Sequence, residues 1–186
     1  MKKLTQTLIL LTALLSVSSI TSSCNPKYEL ELSKLDTLEL HLAAAEEYLK
    51  VDPELIAARI EEIEANIRTI RNKLNDTVDL EFGNNMSKYK TILKIYRKNQ
   101  TAYAQWSKEH EELKTQVENL RKDLEAGKLS REEFKEYYFQ EKEDIIALRE
   151  GAKSVQKSLY EIEPDYMRLS EFAEETIAEL EENENQ

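Results

Sequence analysis

One cysteine, two histidines, three glycines and three prolines are all that 186 residues supply of the types that usually build sites and tight turns. A lone cysteine excludes a disulfide framework and a cysteine metal cluster. The histidines, His41 and His110, form neither a His-Glu-x-x-His nor a Glu-x-x-His pattern, so no histidine metal site is expected. So few glycines and prolines leave little material for the turns of a sheet. Gly-rich phosphate loops, a Ser-His-Asp set and a nucleophile elbow are missing too, so neither enzymatic activity nor a cofactor is expected. Positive charge is scarce: 26 Lys and Arg face 37 Asp and Glu, a net charge of −11. That balance disfavours nucleic acid and direct adhesion to anionic lipid headgroups.

What is present begins with one long apolar run. Lys2 and Lys3 lead into Leu4–Ile20, apolar but diluted by Thr and Ser, and Thr21-Ser22-Ser23-Cys24 closes it. The run is shorter than the roughly 20 apolar residues a spanning helix needs. Its layout is that of an export signal, with small residues placed for cleavage between Ser23 and Cys24. The segment resembles a bacterial lipoprotein signal of the looser Bacteroides type, Thr21 standing where Leu, Val or Ile is usual. The resemblance implies that Cys24 becomes the lipid-modified N-terminus of the mature chain. Cleavage would remove two lysines and no acidic residue, so the body becomes more acidic still. Hydrocarbon burial of the acyl chains would then supply the membrane contact.

Residues 1–23 are thus read as signal peptide and 24–27 as lipidated cysteine and tether; 28–78 are read as a first helical hairpin. Tyr28, Glu31, Leu35, Leu38, Leu42, Ala45 and Leu49 alternate steps of three and four, a helical period. Val51-Asp52-Pro53 restarts the chain with a good N-cap and a proline at the first helical position. Ile56, Ile60, Ile63, Ile67, Ile70 and Leu74 follow as the cleanest stripe. Folding back at Lys50–Asp52 would place Leu49 by Ile56, Ala45 by Ile60, Leu42 by Ile63, Leu38 by Ile67 and Leu35 by Ile70. A loop is expected over 79–86, with Gly83-Asn84-Asn85 as breaker.

Residues 87–163 read as a second, longer hairpin. Its first arm carries Tyr89, Ile92, Tyr96, Asn99, Tyr103, Trp106, His110, Leu113, Val117, Leu120 and Leu124, and Gly127 ends it as a left-handed stop. Ser130 and Glu133 form a capping box, Leu129 staples onto Phe134, and the return arm carries Tyr138, Glu141, Ile145, Leu148, Ala152, Val155, Leu159 and Ile162. Mirrored pairing seats Trp106 opposite Ala152, beside Gly151. Gly127–Phe134 also resembles the short helical hairpin called SHOCT, which implies a tendency to promote oligomers. Tyr166, Leu169, Ala173 and Leu180 keep the phase beyond Pro164, so 164–186 reads as a kinked helical continuation with an acidic tail.

Asn99, His110 and Glu141 are polar intrusions in the seam and candidate specifiers of register or partner. Tyr137, Phe139 and Tyr160 lie off the seam, placed to cover the first hairpin or to meet a partner or ligand. The extra apolar residues Leu30, Leu40, Leu93, Ile95 and Ile146 argue for lateral bundling of the hairpins. Asp76-Thr77-Val78 resembles the O-glycosylation sites of Bacteroides-type periplasmic proteins, which makes Thr77 a candidate acceptor.

The expected molecule is all-α: two consecutive antiparallel helical hairpins, as a four-helix bundle or elongated coiled coil, with a kinked C-terminal extension. Its expected role is that of a lipid-anchored, non-enzymatic scaffold or interaction module of the bacterial envelope, on the outer membrane facing the periplasm. A protein partner or self-association is expected, and no nucleic acid. The alternative is a lipoprotein holding an apolar or sugar ligand between hairpins near the aromatic cluster. A cavity by Trp106 would favour that alternative, and a filled core with an exposed apolar strip would favour protein contacts.

Overall fold

The computed structural model describes residues 28–74 and 79–184, and these are helical almost throughout. Four helices follow one another: α1 (Glu29–Tyr48), α2 (Pro53–Lys73), α3 (Leu80–Glu125) and α4 (Arg131–Glu184). Cys24, Ser23 and Thr77 lie outside the described residues. No described helix is long and apolar enough to cross a membrane.

The expected stripes are the buried faces. Leu35, Leu38, Leu42 and Ala45 on α1 are sequestered, as are Ile56, Ile60, Ile63 and Ile70 on α2. Asp52 caps α2 as expected, its Oδ1 accepting from the backbone N–H of Glu54 at 2.9 Å and of Leu55 at 3.1 Å. At the α3–α4 turn Gly127 has φ 67°, in the left-handed region where only glycine is unstrained. Ser130 and Glu133 close their box: the Glu133 carboxylate accepts from the Ser130 N–H at 2.9 Å, and the Glu133 N–H donates to Ser130 Oγ at 3.2 Å. The Ser130 N–H, with help from the Ser130 hydroxyl, holds the Glu133 carboxyl below its usual range.

The first hairpin is not formed. α1 and α2 share no core cluster and do not fold back on each other. α1 packs Tyr28, Leu35, Leu38, Leu42 and Ala45 against Leu113, Val117, Leu120 and Leu124 of α3 and against Phe134, Ile145 and Leu148 of α4. α2 packs Ile56, Ile60, Ile63 and Ile70 against the opposite half of the long hairpin, onto Met86, Tyr89, Ile92 and Tyr96 of α3 and Tyr166, Leu169 and Ala173 of α4. α1 and α2 therefore follow one another along the groove between α3 and α4, as one interrupted column beside two continuous ones. The reason is coverage. Glu29 to Lys73 spans almost the same length of chain as Leu80 to Glu125, so the extended arrangement covers the long hairpin end to end. A folded-back pair would cover half of it and leave the other seam in water, at about 25 cal/mol per Å² of apolar surface.

The expected loop at 79–86 is helix. Asp79 is the N-cap, accepting from the Phe82 N–H at 2.7 Å, and α3 runs straight through Gly83. A glycine inside a helix costs about 1 kcal/mol against alanine. Burial of Met86 and the packing of the Phe82 ring on Phe172, 5.7 Å between centroids, outweigh it. The helical continuation expected beyond Pro164 is present, α4 running through it to Glu184. Pro164 removes one backbone hydrogen bond, but buried Tyr166, Leu169 and Ala173 keep the chain in helical phase beyond it.

Candidate functional site

The long hairpin has the expected register. Leu124, Leu120 and Leu113 share a core with Phe134 and Ile145, with Tyr138 packed against it. Trp106 lies directly over Gly151: any Cβ there would overlap the indole, standing only 2.7 Å from its Nε1. The large ring fills the space at Gly151, while one turn along α3 His110 lines an open groove of about 350 Å³ with Leu42, Lys114 and Val117.

The three seam polars are accommodated differently. Asn99 is buried and donates from Nδ2 to the Ile95 carbonyl at 3.0 Å and to Ser158 Oγ at 2.9 Å. It ties α3 to α4 at one register. His110 is buried with Nε2 facing the Leu42 carbonyl at 3.3 Å, which links α3 to α1. Glu141 is half-buried with Oε2 lacking a partner, and burial, then the Asp144 charge, push its carboxyl upward. Asn99 and His110 fit a register role through these bonds; the buried Glu141 Oε2 has no bonded partner among the described residues.

A polar network that the sequence reading missed lies between α2, α3 and α4. Arg59 donates from Nη1 to the Tyr166 hydroxyl at 2.7 Å and from Nη2 to Glu163 Oε1 at 3.0 Å. The Tyr96 hydroxyl donates to the other Glu163 oxygen at 2.7 Å. The Arg59 guanidinium also lies 4.1 Å from the centre of the Tyr166 ring, and Tyr96 meets that ring edge-on at 5.7 Å. Farther along, Ser170 donates to Glu62 and Asn66 donates to the Tyr89 hydroxyl at 3.2 Å. Burial, reinforced by the bond to Glu163, raises the Tyr96 phenol far above its usual range. Burial and the Glu62 carboxylate push Tyr166 up to about 12. On Arg59 burial pulls downward, but Tyr166 and Glu163 outweigh it and the guanidinium is held charged. Phenols kept protonated and a cation kept charged act as fixed donors, which is positioning chemistry. The readable signal was Glu163 beside Pro164 with Tyr166 still in phase; Arg59, one residue off the isoleucine stripe, gave none.

Outside the core, α4 carries an apolar row left exposed among the described residues. Phe139, Ile146, Tyr160 and Met167 recur with Lys153 at intervals of seven residues and are exposed, Tyr160 by 83% and Met167 by 62%. A seven-residue repeat drifts only about 20° per step on a helix, so the row keeps to one side. Tyr137 is also exposed. Tyr137, Phe139 and Tyr160 were placed to cover the first hairpin or to meet a partner. All three stay largely exposed: Phe139 meets only the edge of Tyr138, and Tyr160 borders the α1–α2 junction without covering it. The lateral-bundling residues divide: Leu93 and Ile95 are half-buried, whereas Leu30, Leu40 and Ile146 face water.

Beside Tyr160, where α1 gives way to α2, a groove of about 250 Å³ is lined by Val51, Leu55, Ile56, Leu159 and Tyr160 over Arg59. Among the described residues no group of three or more His, Cys, Asp or Glu is arranged to hold a metal ion. No protein-family model, curated protein or solved structure matches this chain.

Proposed function

We propose that this chain is a lipid-anchored, non-enzymatic scaffold of the bacterial envelope, attached through Cys24 and presenting the outer face of α4 to a protein partner. The address rests on the signal layout from Lys2 to Cys24 and its likeness to a lipoprotein signal. The observation that carries the role is the exposed row Phe139, Ile146, Tyr160 and Met167 over a core already filled by Trp106 and its neighbours. Large apolar side chains kept in water along one side of a helix, interrupted here only by Lys153, mark a candidate contact surface. Periplasmic exposure follows from the lack of an acidic cluster in Asn25-Pro26-Lys27-Tyr28-Glu29, since such clusters resemble surface-export signals.

Two measurements test the two halves of this reading. Mass spectrometry of the mature N-terminus is expected to find acyl chains on Cys24, and an unmodified thiol there would sink the anchor. A photo-crosslinking residue at Tyr160 is expected to trap one protein in intact cells that the same residue at Arg71, on another face, does not. Equal yields from both positions would remove the scaffold role.

The groove beside Tyr160 favours a second reading, a ligand-binding lipoprotein. Its volume is below the roughly 300–1,000 Å³ usual for small-molecule sites. Its one cation, Arg59, is already held by Glu163 and Tyr166. The scaffold reading is therefore preferred.

A further inference from the structure

The tether is short and enters the bundle at a defined end. Tyr28 is buried against Leu124 and Phe134, the residues flanking the α3–α4 turn, and Arg131 at the start of α4 lies 3.4 Å from Glu31. Three residues separate Tyr28 from Cys24. At no more than about 3.6 Å per residue, Cys24 lies within about 15 Å of that end, however the tether runs. The opposite end, where α3 begins at Leu80, is about 69 Å away along the 46-residue α3 at 1.5 Å per residue.

The two ends differ in what they offer a lipid surface. The near end exposes Leu30, half-buries Leu129, and carries Lys128 and Arg131 with side chains well out in water. The far end carries Glu174, Glu175, Glu179, Glu181 and Glu182 against only Arg71 and Lys73 from the last turn of α2, Lys73 lying 3.7 Å from Glu181, and exposes Leu80. Both ends mix acidic and basic groups, but acid outweighs base more at the far end, so an anionic headgroup layer repels it more than the near one.

We infer that the end formed by Tyr28, Leu30 and the Gly127 turn is a lipid-facing surface, and that the bundle stands end-on upon the membrane. The inference rests on the acylated Cys24 proposed above. It deepens that reading by fixing which surface meets lipid and at what height the contact row is displayed. Counted from the start of α4 at 1.5 Å per residue, Phe139 stands about 12 Å up and Met167 about 54 Å. A partner of the row is thus met along the shaft, clear of the headgroups.

The test uses the full-length, processed protein extracted from membranes and returned to phosphatidylcholine vesicles, some of whose headgroups carry a nitroxide quencher. A fluorescent amino acid replaces Lys128 in one sample and Leu80 in another; both positions are exposed, so the fold is retained. The label at 128 is expected to lose most of its emission and the label at 80 to lose none. Equal quenching at both positions overturns the end-on arrangement, and stronger quenching at 80 reverses it. Flotation with the vesicles is measured on the same samples. Protein that fails to float and carries no acyl mass overturns the anchor, and the orientation with it. Protein that floats with equal quenching overturns the orientation alone.

Discussion

The two halves of the bundle are closed by different means. Around α1 the core is mostly hydrocarbon, built from Leu35, Leu38, Leu42, Leu120, Leu124, Phe134, Ile145 and Leu148, with His110 on the Leu42 carbonyl as a buried inter-helix polar tie. Around α2 isoleucine shares the interior with Tyr89, Tyr96 and Tyr166, and the phenols are bonded to Asn66, Glu163 and Arg59. Hydrocarbon packing is strong per residue but tolerates a slip of a helical turn, since every turn of a leucine seam resembles the next. Directed bonds do not, because a buried donor displaced from its acceptor costs about 1–3 kcal/mol. The α1 half thus supplies mainly burial energy, and the α2 half, which also contains Pro164, supplies most of the register. Pro164 lies next to Glu163, so the weakest point of the α4 backbone is beside the best-bonded side chain.

This contrast is open to direct attack. Leu148→Ala in the α1 half should have the largest effect, a loss of about 2–5 kcal/mol in urea unfolding followed by Trp106 fluorescence. Glu163→Ala in the α2 half should cost about 1.5–3 kcal/mol, because Arg59 and Tyr96 lose the acceptor they share. Replacing the pair together, Arg59→Met with Glu163→Leu, should recover much of that loss, and amide exchange should then report reduced register specificity. Failure of the paired variant to recover stability would mean that the network is valued for packing more than for its bonds. Gly151→Ala, at the junction of the halves, should cost about 1–3 kcal/mol by pushing the Trp106 ring aside, with a visible shift in its emission.

High pH separates the halves without mutation. The unfolded chain's phenols ionise near 10, whereas Tyr166 in the bundle is raised to about 12 and Tyr96 higher still. Folded-state values above the unfolded ones mean that their stabilisation is complete below about pH 10 and is lost as pH climbs beyond it. Unfolding should therefore steepen from pH 10 toward 12, and Tyr96→Phe should flatten that dependence. The smallest expected effect has the opposite sign. The Glu141 carboxyl is raised by burial and by Asp144, so its ionised form at neutral pH opposes folding. Glu141→Gln should gain up to about 1 kcal/mol at pH 7, a gain that vanishes in acid, where Glu141 is protonated in both states.

Sequence pattern was sufficient wherever the signal was local. The isoleucine stripe of α2, the Ser130–Glu133 box, the Gly127 stop and the fit of Trp106 to Gly151 all follow from residues a few positions apart or from one tight turn. The path of α1 relative to α2 did not follow, because an even three-four stripe pairs equally well folded back or extended along a third surface. Only the matching length of α3 decides between them, and the expected loop at 79–86 had concealed it by trimming α3 at its start. Asp79 was the missed signal there, a sound N-cap four residues ahead of the glycine that was read as a breaker. Of the contact row, Phe139 and Tyr160 were legible as off-seam aromatics. Ile146 reads as a bundling residue and Met167 carries no signal of its own, since a row on the outer face is defined by what fails to cover it.

The break at Leu49–Asp52 also bears on how the molecule responds to force. A pull on the N-terminus is taken up first by α1, which runs from the Gly127 end toward the middle of the shaft and is loaded in shear against α3 and α4. Because α1 stops at Tyr48 and α2 begins under its own Asp52 cap, strain that dislodges α1 does not run on into α2. The remaining three-helix contact at the far half, with its tyrosines and Arg59, stays closed while the lower column slides. The interruption makes the bundle a rod with a slipping joint, one that yields over some 20 residues before its second half is strained.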